Sequence, residues 1–232
     1  MLLRKISLTG SFQYWSWMTN YSRVGGVSFV NCLKISHLMN SVLAELPETF
    51  PGICNIPADV AYLLGCGSQA QFDSTLKTIV DPGRFCAFCE HNWHKRTMLC
   101  HSADWAVVRN DFKGNGQGGD PTIWYLIIPA RHITRFDQLV PYDGAQIIGL
   151  VQEANQKLAL KGGMLAARFD HPAHHVGTVP HFHINLISPD GNTEVRVPIG
   201  KLEEQHAKNW PRLRTHIAAH LLHPDGFAAL FA

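Results

Sequence analysis

The sharpest pattern in the chain is a strict alternation at residues 181–187, His-Phe-His-Ile-Asn-Leu-Ile. Period two is that of a strand, so His181, His183 and Asn185 are expected on one sheet face, with Phe182, Ile184 and Leu186 entering the core. Residues 105–108 (Trp-Ala-Val-Val) and 123–128 are apolar runs of strand length, joined by a flexible Gly-rich connection at 115–120. Residues 164–169 and 193–197 complete the strands, and Pro189-Asp190-Gly191-Asn192 is a hairpin turn ahead of the last. Residues 142–161 give the best helical period, with Ile147, Ile148, Val151, Ala154 and Leu158 on one face and Gly162-Gly163 ending it. Shorter helices are predicted over 58–64, after Pro57 at a first helical position, and from Ser68 to about Val80, where Ser68 and Gln71 have capping-box spacing and Pro82-Gly83 is the stop. A terminal helix over 202–222 is expected to be interrupted by Pro211. Strand, strand, long helix and three further strands describe an α+β antiparallel meander with one long packed helix.

Composition narrows the classes. Hydrophobic residues at 46% against 16% charged exclude wholesale disorder, and no apolar run is long enough to span a bilayer. A net charge of +2 argues against nucleic acid as partner. The charge is unevenly placed, however. Residues 1–44 hold Arg4, Lys5, Arg23 and Lys34 and no acid, so residues 45–232 are left at 16 basic against 18 acidic, a net of −2. The basic start has the character of an organellar transit peptide, the alternative being an extension with translation beginning at Met18 or Met39; the chain is accordingly expected in the cytoplasm, or in an organelle if the segment targets it. The aromatic cluster at 12–17 is apolar enough to pack on the body. The organisation expected is a basic extension (1–44), a helical lead-in (45–83), a main domain (84–199) and a helical tail (200–232).

Of six cysteines, only Cys86 and Cys89 are closely spaced, which reads as reduced thiols plus one metal or redox pair. Of 14 histidines, five fall at His171, His174, His175, His181 and His183. That concentration, with three polar groups aligned on one strand, marks a site. His206, His216, His220 and His223 are expected to be ordinary surface residues, although His216 and His220 have the i,i+4 spacing of a metal pair.

With His181-Phe-His183-Ile-Asn185, the segments 106–112 (Ala-Val-Val-Arg-Asn-Asp-Phe) and 126–133 (Leu-Ile-Ile-Pro-Ala-Arg-His-Ile), and the helix from Tyr142, residues 84–199 resemble the histidine-triad (HIT) superfamily of nucleotide hydrolases and transferases. The resemblance implies a HIT-like fold and a structural zinc ion held by Cys86, Cys89, His132 and His181, a chemically sound set of two thiolates and two imidazoles. His91, His94 and His101 are alternatives to His132. It further implies His183 as nucleophile toward the α-phosphorus of a nucleotide, Asn110 or Asp111 as ribose contacts, and His175 and Thr178 beside the phosphate. Two features depart from the family pattern. Asn185 stands where the family has His or Gln, and 175–180 lacks the usual Gly-Gln pair. Asn185 can hydrogen-bond a leaving or bridging oxygen but cannot supply a proton as an imidazolium does. The function implied is hydrolysis or nucleotidyl transfer on a dinucleoside polyphosphate, nucleotide sugar or nucleoside phosphoramidate. A nucleotide-binding module with little turnover and a zinc-stapled nucleic-acid-associated protein are the alternatives, and a homodimer is an open assembly.

Overall fold

A computed structural model describes residues 48–52, 55–110, 123–175, 177–189, 191–192 and 203–220. Two compact units are distinguished, residues 1–48 with 214–232 and residues 49–213. The described residues of the first unit are Glu48 and 214–220, the last turns of a helix. The second contains all the described strands.

Two short helices open it. Helix α1 spans Ala58–Leu64, with Pro57 at the N-cap and Gly65 at the C-cap. Helix α2 spans Gln69–Val80, and the Ser68 hydroxyl accepts the Gln71 backbone N–H at 3.2 Å. The reciprocal arm reaches one residue further back than a capping box requires, since Gln71 Oε1 accepts from Gly67 N at 2.8 Å. Pro82 is not only a stop; it begins the four-residue helix α3, Pro82–Phe85, which delivers the chain to Cys86.

The sheet has five antiparallel strands, β1 (Met98–His101), β2 (Trp105–Arg109), β3 (Ile123–Pro129), β4 (Met164–Arg168) and β5 (His183–Ser188), in the order β1-β2-β3-β5-β4. Helix α4, Pro141–Leu158, packs on one face, where Leu150 and Ala154 meet Trp105, Val107, Ile127, Phe182, Ile184 and Leu186. On the other face Cys86, Phe88, Cys89 and Trp93 cover Ala106, Val108, Leu126 and Ile128. Burial on both sides is why β2 and the end of β3 read as unbroken apolar runs.

Helix α4 is anchored at its first turn by Asp143, a carboxylate with almost no exposure. It accepts from Trp105 Nε1 at 2.8 Å, from Arg131 Nη1 at 3.0 Å and from the Val140 backbone N–H at 2.8 Å. The hydrogen bonds from Arg131 first, then those from Val140 and Trp105, hold its pKa down at about 2 against the opposing effect of burial.

Several expectations are corrected. Helix α4 stops at Leu158, not Lys161, because Ala159 takes a left-handed conformation (φ 50°) that satisfies the last carbonyls. Gly163 serves a different end: a Cβ there would lie 2.5 Å from the Ile187 carbonyl oxygen, so glycine permits the close approach that starts β4 beside β5. Ile148, expected on the packed face, is exposed at 61%, and Leu150, not among the expected face residues, is buried in the core. Strand β1 went unpredicted because its apolar run, Met98-Leu99-Cys100, is shorter than the four or more residues that mark a strand. Helix α5, Glu203–His220, continues through Pro211 without interruption. Its Asn209 and Arg212 donate to the carbonyls of Leu64 and Cys66 at 2.8 and 2.6 Å. His206 is buried at 1% exposure rather than on the surface. The first 44 residues, the connection at 115–120, Asp190 of the predicted turn, the strand at 193–197, the side chains of His216 and His220, and His223 lie outside the described residues.

Asp143→Ala strands a buried indole N–H, a guanidinium and a helix-start amide. Denaturant unfolding is expected to show a loss of about 2–4 kcal/mol. The pKa depression makes Asp143 a source of stability that is complete above the ordinary carboxylate pKa and is lost as pH falls toward 2. Acid unfolding curves of native protein and Asp143→Asn should therefore converge over that interval.

Candidate active site and metal centre

The face of the sheet opposite α4 carries His183 and Asn185 and is covered by the segment that holds Cys86 and Cys89. Helix α3 ends at Cys86 and a 3-10 helix, Glu90–Lys95, starts after Cys89, so Cys86–Cys89 forms a knuckle held between two short helical segments. Asn92 Nδ2 donates to the Cys86 carbonyl and Trp93 Nε1 to the Phe88 carbonyl, both at 2.8 Å. The Glu90 N–H donates to Ala130 O at 3.1 Å, pinning the knuckle to the segment just past β3. His132 follows in that segment. His181 lies two residues before β5, not on the strand as the alternation suggested, because Phe182 N–H donates to Ile133 O at 2.6 Å across the segment that carries His132.

These elements bring four donors together. Cys86 Sγ, Cys89 Sγ and the ring nitrogens of His132 and His181 all lie within 4.8 Å of one another. Cys86 Sγ is 3.2 Å and Cys89 Sγ 3.7 Å from His181 Nδ1, Cys89 Sγ is 3.6 Å from His132 Nδ1, and the two Nδ1 atoms are 3.3 Å apart. Tetrahedral coordination with bonds of about 2.3 Å to sulfur and 2.0–2.1 Å to nitrogen requires edges of about 3.5 Å for S···N and 3.3–3.4 Å for N···N. The observed separations match those edges. The tautomer of His181 also suits ligation. Its Nε2 sits 3.2 Å from Pro129 O, which can only accept, so the proton is on Nε2 and the Nδ1 lone pair faces the cluster. Hydrogen bonding from Cys89, reinforced by His132 and His181, favours the Cys86 thiolate despite burial, and the same bond pushes the Cys89 thiol up. Among the alternatives, His91 pairs with Asn92 Nδ2 at 2.8 Å and His101 with Ser102 O at 3.1 Å; neither they nor His94 belong to the cluster.

His183 begins β5 at 6% exposure. Its Nδ1 is 2.9 Å from the His181 carbonyl oxygen, so that nitrogen carries the proton and Nε2 has the lone pair. Burial, and behind it the charge of Arg168, lowers its pKa to about 4, which keeps the ring neutral near pH 7. Phe88 stands edge-on to both imidazoles, 5.7 Å from the His181 ring and 5.5 Å from His183.

Asn185 is almost fully buried and held at both ends of its amide. Oδ1 accepts from Trp124 Nε1 on β3 at 3.0 Å, and Nδ2 donates to Ala166 O on β4 at 3.1 Å. Thr178 faces α2, where its hydroxyl accepts from Gln71 Nε2 at 2.7 Å and its carbonyl accepts from Thr75 at 3.3 Å. His175 is buried, and its Nδ1 accepts from the Gly177 N–H at 2.9 Å. Asn110 directly follows β2, with its N–H on Trp124 O at 3.0 Å; Asp111 lies outside the described residues. The sequence reading missed Phe88, Trp124 and Arg168. The last lies opposite His183 in the β4–β5 register, and only that register reveals it.

No family model matches the chain, and no curated protein matches it. Among solved structures it is similar to a histidine triad nucleotide-binding protein from Candida albicans, at 18% identity over 57% of this chain and 97% of that one, TM-score 0.39. It is similar to a HIT family hydrolase from Clostridium thermocellum, at 18% identity over 50% and 98%, TM-score 0.38. It is also similar to a zinc-bound histidine triad family protein from Mycobacterium smegmatis, at 16% identity over 58% and 94%, TM-score 0.35.

The two bonds of Asn185 generate a prediction. Asn185→Leu leaves the Trp124 N–H and the Ala166 carbonyl unpaired inside the sheet, and thermal unfolding should show a loss of about 2–3 kcal/mol. Asn185→Gln, with an amide displaced by one methylene, should recover only part of it.

Proposed function

We propose that this chain is a nucleotide-binding hydrolase or nucleotidyltransferase that acts at the α-phosphorus through a nucleotidyl-His183 intermediate. The observation that carries the reading is the His183 ring, neutral, with Nδ1–H fixed on the His181 carbonyl and Nε2 left with its lone pair. In the first step that lone pair forms a P–N bond while the bond from phosphorus to the leaving oxygen breaks, and the leaving group takes the electron pair. In the second, water or a phosphorylated acceptor supplies an oxygen to phosphorus, the P–N bond returns its electrons to Nε2, and the acceptor's proton passes to solvent. Asn110, with Asp111, is assigned the ribose hydroxyls. His175 and Thr178 shape the loop over the phosphate, and Asn185 holds the sheet beneath it.

Residues Cys86, Cys89, His132 and His181 are assigned a structural zinc ion; two thiolates and two imidazoles would fill its ligand positions and would leave its role structural. Its effect on the chemistry would pass through His181, whose carbonyl orients the nucleophile. Since Asn185 cannot deliver a proton, the site favours leaving groups that depart as stable anions, as in dinucleoside polyphosphates and nucleotide sugars, over a phosphoramidate whose amine must be protonated. The same Asn185 supports the second reading, a nucleotide-binding module with little turnover. For the zinc-stapled nucleic-acid-associated alternative, the net of −2 over residues 45–232 is unfavourable. No helix among the described residues is long and apolar enough to cross a membrane. A second copy of the chain is the proposed protein partner, for which edge strand β4, with Met164 and Leu165 exposed, offers a surface.

Three outcomes test this. Protein purified without added metal should contain close to one zinc per chain, and Cys86→Ser should lose it along with stability. A metal-free, equally stable native protein would contradict the assignment. His183→Ala should abolish turnover while nucleotide affinity stays within a few fold; the phosphohistidine-type adduct seen by intact mass after brief exposure to a dinucleoside polyphosphate should vanish with it. Binding without turnover or adduct in the native chain would select the second reading.

A further inference from the structure

Arg168 is the last residue of β4 and lies directly across from His183 on β5. Directly opposed residues of an antiparallel pair project from the same face, so its guanidinium leaves the sheet on the side of His183, Asn185 and the four-donor cluster. The side chain is half-buried. Among the described residues none forms an ion pair with it or accepts a hydrogen bond from it. Asp170, the acid nearest in sequence, is committed elsewhere: its backbone is left-handed (φ 61°) and its Oδ1 accepts the Phe136 N–H at 3.1 Å. Burial pulls the Arg168 pKa down and no carboxylate opposes it. A half-buried cation without a counter-ion is costly, and proteins retain one where a ligand supplies the missing charge.

His175 and Gly177 fix where that charge would sit. Gly177 passes so close to the Arg168 stem and the His175 ring that a Cβ would be 3.5 Å from Arg168 Cδ and 2.8 Å from His175 Nδ1. The stem is thus flanked by backbone, and the fork is left on the same face as the His183 ring, directly across the β4–β5 register from it. Asn185, two residues along the same strand, is neutral and spends its amide on Trp124 and Ala166. Arg96 lies over the far side of this region, on the Phe88 ring at 4.6 Å, so among the described residues the cation placed directly across from His183 comes from β4, not from the third position of the motif.

We infer that Arg168 is the anion-binding residue of this site, contacting the non-bridging oxygens of the phosphoryl group presented to His183 and taking over the electrostatic role that Asn185 does not perform. The inference rests on the nucleotide reading for the identity of the group, but the anion site itself requires only a phosphate. A guanidinium suits this task because its fork meets two oxygens at once and stays charged throughout. It neutralises charge that accumulates on phosphorus oxygens and donates no proton to a leaving group.

The test is equilibrium binding of AMP, adenosine and inorganic pyrophosphate to the full chain, native and with Arg168→Gln or Arg168→Lys, each checked for native unfolding temperature. AMP and pyrophosphate should weaken about ten- to hundredfold in Arg168→Gln, with adenosine unchanged. Arg168→Lys should fall between, since it keeps the charge without the fork. Equal AMP affinity in native protein and Arg168→Gln overturns the assignment and leaves the nucleotide reading standing. Arg168-dependent binding of pyrophosphate without any AMP or adenosine binding supports the anion site and overturns the nucleotide reading. A native chain that binds none of the three probes overturns both.

Discussion

His181 makes three commitments at once, and the arrangement of the site follows from them. Its Nε2–H is given to Pro129 O at the end of β3, its Nδ1 joins two thiols and a second imidazole, and its carbonyl receives Nδ1–H of His183. The first fixes the tautomer and the second fixes the ring. With the ring held, the peptide that carries it is held, and so is the acceptor that decides which nitrogen of His183 keeps a lone pair. A residue that only ligated a metal, or only capped a neighbour's ring, would leave the two halves of this face independent. Here a change in the cluster is transmitted to the His183 ring through one backbone carbonyl.

The opposite face works differently. There α4 is fastened by Asp143, which draws Trp105 from β2, Arg131 from the segment after β3 and the first turn of the helix itself onto one carboxylate. The two faces share β2, β3 and β5 as a common wall, so Ile127 and Ile128, or Ile184 and His183, serve opposite sides from adjacent positions. Slipping any strand by one residue would exchange core for site, and burial on both sides opposes such a slip.

Local signals were legible in the sequence. Helices α1 and α2 begin and end where Pro57, Gly65 and Ser68 place them, because caps act over three or four residues. The alternation at 181–187 announced one polar face, and the donor residues of the cluster could be named from the resemblance before any coordinates. What could not be read depends on register or on tertiary contact. His181 leaves the strand because Ile133 claims the next backbone amide. Arg168 gains meaning only when β4 is laid against β5. His206 and Pro211, polar and helix-breaking by type, sit in a helix whose Trp210 and Leu213 are buried, and packing overrides both preferences.

The spacing of the four cluster residues bears on how the chain is made. Cys86 and Cys89 leave the ribosome first, His132 later and His181 last, with more than ninety residues separating the ends of the set. At synthesis rates of roughly 5–20 residues per second, the two thiols wait for about 5–20 seconds before their final imidazole partner exists. Throughout that interval they are a closely spaced thiol pair on an unfinished sheet, open to oxidation or to capture by a soft cation. The cluster is therefore a late event in assembly, closed only when β5 is inserted between β3 and β4, and its completion reports that β5 has found its place.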